Sequence, residues 1–172
     1  MNAIIAVILI GGTAACSKPP RSDEDLGQRI AALEDRAAIK QLVDTFSVLA
    51  DRKETQKQTL LFTEDAQVET YTNGQRVSAL RGREQIGAAF ARFLSGFDTV
   101  YHANAQLDLA LNGDTASGIS YCLVTLIGAE NGKRMKTSML VSYNDKYVRT
   151  GGKWLIAQRT SNFVLREQEE VR

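Results

Sequence analysis

Apolar residues recur along this chain with two different periods, and the change from one to the other divides it. Leu26, Ile30, Leu33 and Ala37 fall at helical spacing. Ile39, Leu42, Val43, Phe46, Leu49 and Ala50 continue that spacing on a somewhat rotated face, which predicts one long helix or two abutting ones. Ser22 can cap its start, and Asp23, Glu24 and Asp25 supply the negative charge that a helix N-terminus favours. A short polar helix over 54–61 follows. Asn73-Gly74, between apolar-polar runs at 67–72 and 75–80, is a two-residue hairpin signal because both central positions tolerate positive φ. From Gly82 a further helix places Ile86, Phe90, Phe93 and Leu94 on one face and ends near Ser95-Gly96.

From Val100 onward the period falls to two, and glycine-bearing turns at 112–114, 131–133 and 151–152 separate four long strands over 100–111, 115–129, 135–150 and 153–166. Helices, a hairpin, a helix and then a meander describe an α+β architecture: a curved antiparallel sheet wrapped around about three N-terminal helices as a cone-shaped barrel. Such a cone leaves a pocket suited to a small apolar ligand. Gly118 and Gly128 are the expected bend or bulge points.

The first of the long strands carries the only histidine. Strict alternation puts Tyr101, Ala103, Ala105, Leu107, Leu109 and Leu111 on one face and His102, Asn104, Gln106 and Asp108 on the other. A side chain that titrates near neutrality is the natural candidate for acid or base chemistry, although a lone strand histidine is more often a hydrogen-bonded structural residue. Arg159 and Arg166 on the last strand could meet an anionic ligand, but charges there more often face solvent or an interface.

Composition narrows the picture. At 172 residues, 44% hydrophobic, the chain has the size of one domain with a real core. Its 21 basic and 20 acidic residues are interleaved, which leaves no basic face for nucleic acid. One histidine and scattered carboxylates imply no metal and no cofactor. Residues 1–15 have the form of an export signal: an aliphatic run too short to span a bilayer, then small residues. Thr13-Ala14-Ala15-Cys16 resembles a bacterial lipobox, with Thr where the motif prefers Leu. It implies lipidation of Cys16, a tether over 16–23 and a domain over 24–168. The resulting expectation is a periplasmic protein held to a membrane only through that lipid, with Ser17 favouring the outer membrane over the inner. Cys122 is then left alone, in an apolar run where a small core residue is expected.

Seven pieces in register resemble the SnoaL-like branch of the nuclear transport factor two-like superfamily: 34–42, 49–51, 61–66, 82–86, 101–104, 113–116 and 152–159. The resemblance implies the cone fold, a homodimer formed through the sheet, and cofactor-free proton transfer on apolar or polycyclic substrates, as in its dehydratases, isomerases and cyclases. In dehydratase-like members a helix-end Asp and a strand His face each other in the pocket. The matching residues are Asp51 and His102, which the resemblance makes catalytic. Those members often carry a tyrosine about one turn before the Asp, where this chain has Phe46. Phe46, Asn104 and Tyr121 are the expected substrate contacts. The function implied is an exported lyase- or isomerase-type enzyme. The alternatives are a non-catalytic binder of a hydrophobic ligand and a protein-interaction domain of the same fold.

Overall fold

Helix α1 (Asp23–Asp51) is a single helix, and its buried residues, Ile39, Leu42, Val43, Phe46, Ser47 and Ala50, keep the i, i+3, i+4 spacing of one apolar stripe. The computed structural model describes residues 23–171, so the leader, the tether, Cys16 and the Ser22 cap lie outside the described residues. In the first turns of α1, Leu26, Ile30 and Leu33 remain about half exposed or more. Asp35 and Arg36 mark where the helix docks: Asp35 accepts from Arg149 and from Trp154 Nε1 at 3.0 Å, and Arg36 donates to Leu109 O at 3.0 Å. Trp154 is buried beneath the Arg149 guanidinium, which lies 4.6 Å from its ring.

After α2 (Thr55–Thr59), the hairpin of β1 (Phe62–Thr72) and β2 (Gln75–Arg81) turns at Asn73 and Gly74, both with positive φ as the dipeptide requires. Helix α3 (Gly82–Leu94) leads to β3 (Thr99–Asn112), β4 (Thr115–Glu130), β5 (Lys133–Thr150) and β6 (Lys153–Glu170).

The six strands form one curved sheet in the order β2-β1-β6-β5-β4-β3. The meander is antiparallel, but β1 runs parallel to β6, with Gln67 opposite Gln158. The sheet is therefore mixed rather than antiparallel. It is also open rather than a closed barrel, because β2 and β3 are its two edges. The reason is topological: α3 carries the chain across the sheet, so the meander works back towards the hairpin and its last strand meets β1 in the same direction.

Alternation along the strands is broken at defined places. In β3 the register with β4 slips between Asn104 and Leu107. Before the slip Val100, His102 and Asn104 face the helices. After it Leu107, Leu109 and Leu111 do, packing on the core. The strict alternation expected from the sequence therefore fails at one bulge, which puts polar and aliphatic residues on the same face. A second slip, between Lys146 and Tyr147 on β5, makes Ala157 the extra residue of β6 and turns Arg159 inward in phase with Ile156.

Gly118 and Gly128 are not bulges, since β4 keeps register with β5 through both. They are points of close approach. A Cβ at Gly118 would lie 2.7 Å from Asp108 O, and one at Gly128 would lie 2.6 Å from Gly96 O. The core has two halves. One is centred on Ile39, Phe46, Phe62, Val68 and Ile156, the other on Ala50, Leu94, Val124, Met139 and Tyr143. Cys122 sits buried in the second, where burial pushes its thiol up to about 12.

Candidate functional site

Asp51 is the last residue of α1, and His102 enters the same region from the start of β3, so two elements far apart in sequence supply the pair. His102 Nδ1 lies 2.7 Å from Asp51 Oδ1. A carboxylate accepts only, so Nδ1 carries the proton and the lone pair stays on Nε2. The histidine side chain is 8% exposed and that of Asp51 22%.

Asn104, two residues along the same strand face, fixes this geometry. Ser47 Oγ donates to Asn104 Oδ1 at 3.0 Å, and Asn104 Nδ2 donates to Asp44 Oδ1 at 3.1 Å. Its amide is thus committed to α1, one to two turns before Asp51. The role expected of Asn104 was substrate contact; its bonds make it a positioning residue that holds α1 against β3.

A cavity of about 280 Å³ lies where the two halves of the core meet. Phe46, Phe90, Leu94, Val124 and Met139 give it an apolar wall, and His102, Tyr143, Gln58 and Arg159 also line it. Phe46 therefore stands where a substrate contact was expected. Tyr121 does not: it is 46% exposed and lies outside the lining, because its neighbours Ser120 and Cys122 take the inward positions of β4. Arg166 is exposed.

Arg159 has a different standing from the one its sequence position suggested. It is 1% exposed. Its Nε donates to Asp145 Oδ1 at 2.8 Å and its Nη2 to Asp145 Oδ2 at 2.7 Å, a bidentate pair wholly inside the protein. The guanidinium carbon lies 4.1 Å from the Phe46 ring centre and 4.4 Å from that of Tyr143. Burial works against its charge, but Asp145 outweighs burial and holds the pKa above the ordinary arginine value. Gln58, also 1% exposed, donates through Nε2 to Phe46 O at 3.1 Å. Gln58 does not stand out in sequence, and Arg159 stands out there only as a possible partner of an anionic ligand or as a surface charge. The bulge at Ala157 hides the inward turn of Arg159, and Gln58 sits in a helix of five residues.

The electrostatics favour a neutral imidazole. Burial lowers the His102 pKa from its ordinary value of 6.5. The hydrogen bond and charge of Asp51 oppose that, while the charge of Arg159 adds to the lowering. A ring that is neutral at pH 7, with its lone pair on Nε2, is in the state a general base requires. Among the described residues no group of three or more His, Cys, Asp or Glu gathers to hold a metal ion.

The model of the SnoaL-like domain family matches residues 31–160, which is most of the chain. The chain belongs to the SnoaL-like family. An uncharacterized protein of Mycobacterium tuberculosis, Rv2910c, is 27% identical over 131 residues, covering 76% of this chain and 86% of its own. A candidate scytalone dehydratase from Novosphingobium aromaticivorans superposes with a TM-score of 0.71 at 20% identity, over 82% of this chain and 91% of that one. The hexachlorocyclohexane dehydrochlorinase LinA-type3 from Novosphingobium barchaimii superposes at 0.69 and 18% identity, over 82% and 94%. At such identities the structural likeness is one of fold. It shows that this SnoaL-like domain shares the α+β fold of those proteins, and its site rests on its own residues.

Linkage gives a direct check on the histidine. A folded pKa below the unfolded value means that the neutral ring contributes stability in full above about pH 6.5 and loses it as pH falls towards the folded pKa. With one imidazole in the chain, NMR should find the His102 pKa below 6.5, and Asp51→Asn should lower it further by removing the group that opposes burial. A rise in the variant would show that Asp51 does not act on the ring.

Proposed function

We propose that this SnoaL-like domain is a cofactor-independent enzyme of the lyase or isomerase type, with Asp51 and His102 moving a proton on an apolar substrate in the cavity. The observation that carries the reading is the 2.7 Å contact between Asp51 and a histidine that lines an otherwise largely apolar cavity. Proton transfer by a positioned imidazole needs this arrangement: one nitrogen fixed by a carboxylate, the other open to substrate, and water kept scarce.

In the reaction, Nε2 of His102 takes a proton from a carbon next to a carbonyl, and the C–H electron pair moves towards the carbonyl oxygen. Asp51 stabilises the imidazolium that forms. In isomerisation the imidazolium returns the proton to another carbon. In dehydration it returns it to a hydroxyl that leaves as water while the carbon–carbon double bond forms. The dehydratase and dehydrochlorinase names of two structural neighbours agree with elimination chemistry in this class.

Two further parts of the reading concern setting. The outer face of the sheet carries Tyr101, Tyr121, Leu123, Leu140 and Leu165, all 44% exposed or more, with Leu123 opposite Leu140 and Leu140 opposite Leu165 across β4, β5 and β6. Such a patch supports a homodimer formed through the sheet. The sequence pattern ending at Cys16 supports a lipid-anchored periplasmic protein; no helix among the described residues is long and apolar enough to cross a membrane.

For the chemistry, deuterium uptake next to the carbonyl of cyclic ketones and β-hydroxy ketones in D₂O is the assay. His102→Ala and Asp51→Asn should slow it by about 10²- to 10⁴-fold with the fold intact by circular dichroism, and equal rates in all three proteins end the proposal. Leu123→Asp should convert a dimer to a monomer in sedimentation; a monomeric wild type refutes the interface. Labelled palmitate should enter the wild type but not Cys16→Ser in bacterial cells, and an unlabelled wild type removes the anchor.

A further inference from the structure

Helix α1 carries two apolar stripes. The inner one, from Ile39 to Ala50, is buried in the domain. Continued towards the N-terminus in helical steps it passes through Asp35, Ala32 and Asp25, and of residues 23–38 only these three are not exposed. The outer stripe is Leu26, Ile30, Leu33 and Ala37, all exposed. Ile30 and Ile39 are nine residues apart, about two and a half turns, so the two stripes point to opposite sides of the helix. The domain cannot cover the outer stripe, because its own sheet and core lie against the inner one. Yet a short helical stretch with so little packing of its own is marginal in water.

The steps of four, three and four from Leu26 to Ala37 fit a single heptad frame, with Leu26 and Leu33 at d and Ile30 and Ala37 at a. A β-branched residue at a with leucine at d is the combination that favours two parallel strands. In the same frame Arg29 takes g and Glu34 the following e, the positions that meet between parallel partners, so a pair of helices gains the Arg29 to Glu34 contact twice. Antiparallel pairing would set Arg29 against Arg36, which is also at g. Among the described residues neither Arg29 nor Glu34 has an ion pair or a side-chain hydrogen bond, so both charges are available. The seam ends after Ala37, where Lys40 and Asp44 take the next d and a positions and pair with each other.

We infer that the outer stripe of α1 pairs in parallel with the same stripe of a second copy of this chain. The stripe is turned away from the sheet, so this contact is separate from the homodimer proposed through the sheet. About two heptads, roughly 18 Å of helix, make a seam smaller than a stand-alone interface requires. The pairing is therefore of the weak, transient kind, which covalent trapping registers and sedimentation at micromolar concentration does not. A bilayer suits the stripe less well, because Asp23, Glu24 and Asp25 open the helix beside it and repel anionic lipid. Parallel order also sends both chains towards residue 22 at the same end, which agrees with a lipid at Cys16 without resting on one.

The test is disulfide trapping in the full chain carrying Cys16→Ser, in which the remaining thiol, Cys122, is buried. Single cysteines are placed by Leu26→Cys, Leu33→Cys and Ala31→Cys, the last on an exposed part of the helix outside the seam. Equivalent d positions face each other in a parallel pair, so Leu26→Cys and Leu33→Cys should each link to their own kind about tenfold faster than Ala31→Cys. In the Leu33→Cys chain, Arg29→Glu and Glu34→Arg should each slow linking by about tenfold, and the two together should restore it. All these positions are exposed, and circular dichroism should show the fold unchanged. Linking should persist in Leu123→Asp, so loss of the sheet dimer and loss of this contact are read separately. Equal rates at the three cysteines, linking of position 26 to position 33 without self-linking of either, indifference to charge reversal, or no linking at all overturns the inference. Flotation with phosphatidylethanolamine–phosphatidylglycerol vesicles that Leu33→Asp abolishes, in a chain that does not link, assigns the stripe to a lipid surface and overturns it too.

Discussion

The interior of this domain is arranged around an ion pair that water does not reach. Removing Arg159 and Asp145 from solvent costs several kcal/mol per ion, which is recovered only if geometry and hydrogen bonding are close to complete. Here both carboxylate oxygens accept from the guanidinium, and Tyr147 donates to Asp145 Oδ2 at 2.9 Å. Phe46 from α1, Phe62 from β1 and Tyr143 from β5 surround the guanidinium, the first and last within 4.4 Å. Helix, hairpin and meander are thus brought to a common point by one charged side chain. An apolar residue at 159 would fill the space, but it would not dictate where the rings stand.

The same point divides the cavity lining into two groups of polar residues. At one side α1 and β3, tied by the bonds of Asn104 to Ser47 and Asp44, hold a carboxylate and an imidazole in register. At the other side β6 and α2 contribute Arg159 and Gln58, each held by its own hydrogen bonds. The two groups therefore come from different secondary elements, each fixed by its own hydrogen bonds. Preorganisation of that kind lowers the ordering cost of binding.

Much of this was legible in the residues. Asn73-Gly74 specified its hairpin, apolar spacing specified α1 and α3, and the family match placed Asp51 and His102 together before any coordinates did. What remained hidden has one physical origin. Alternation reports the inward face only while register holds, and single-residue slips in β3 and β6 reverse it. For that reason Leu107 and Leu109 seemed opposed to His102, and Arg159 read as a surface or interface charge. The parallel union of β1 with β6 was hidden for a different reason, since order along a chain does not reveal which edge the last strand will meet. Asn104 and Tyr121 show a third limit: a strand position gives the face of a side chain but not the partner that claims it.

The pairing of β1 with β6 also bears on how the molecule comes into being. Its partners are about ninety residues apart, and the cavity draws on side chains from Phe46 to Phe163. A chain emerging from the ribosome N-terminus first must therefore hold the apolar stripe of α1 and the inner face of the hairpin uncovered until nearly its last strand has been made. Contacts of such long range are slow to close. Synthesis, rather than the finished state, is when this protein most needs protection, and the cavity acquires its shape only as the final strand joins the sheet.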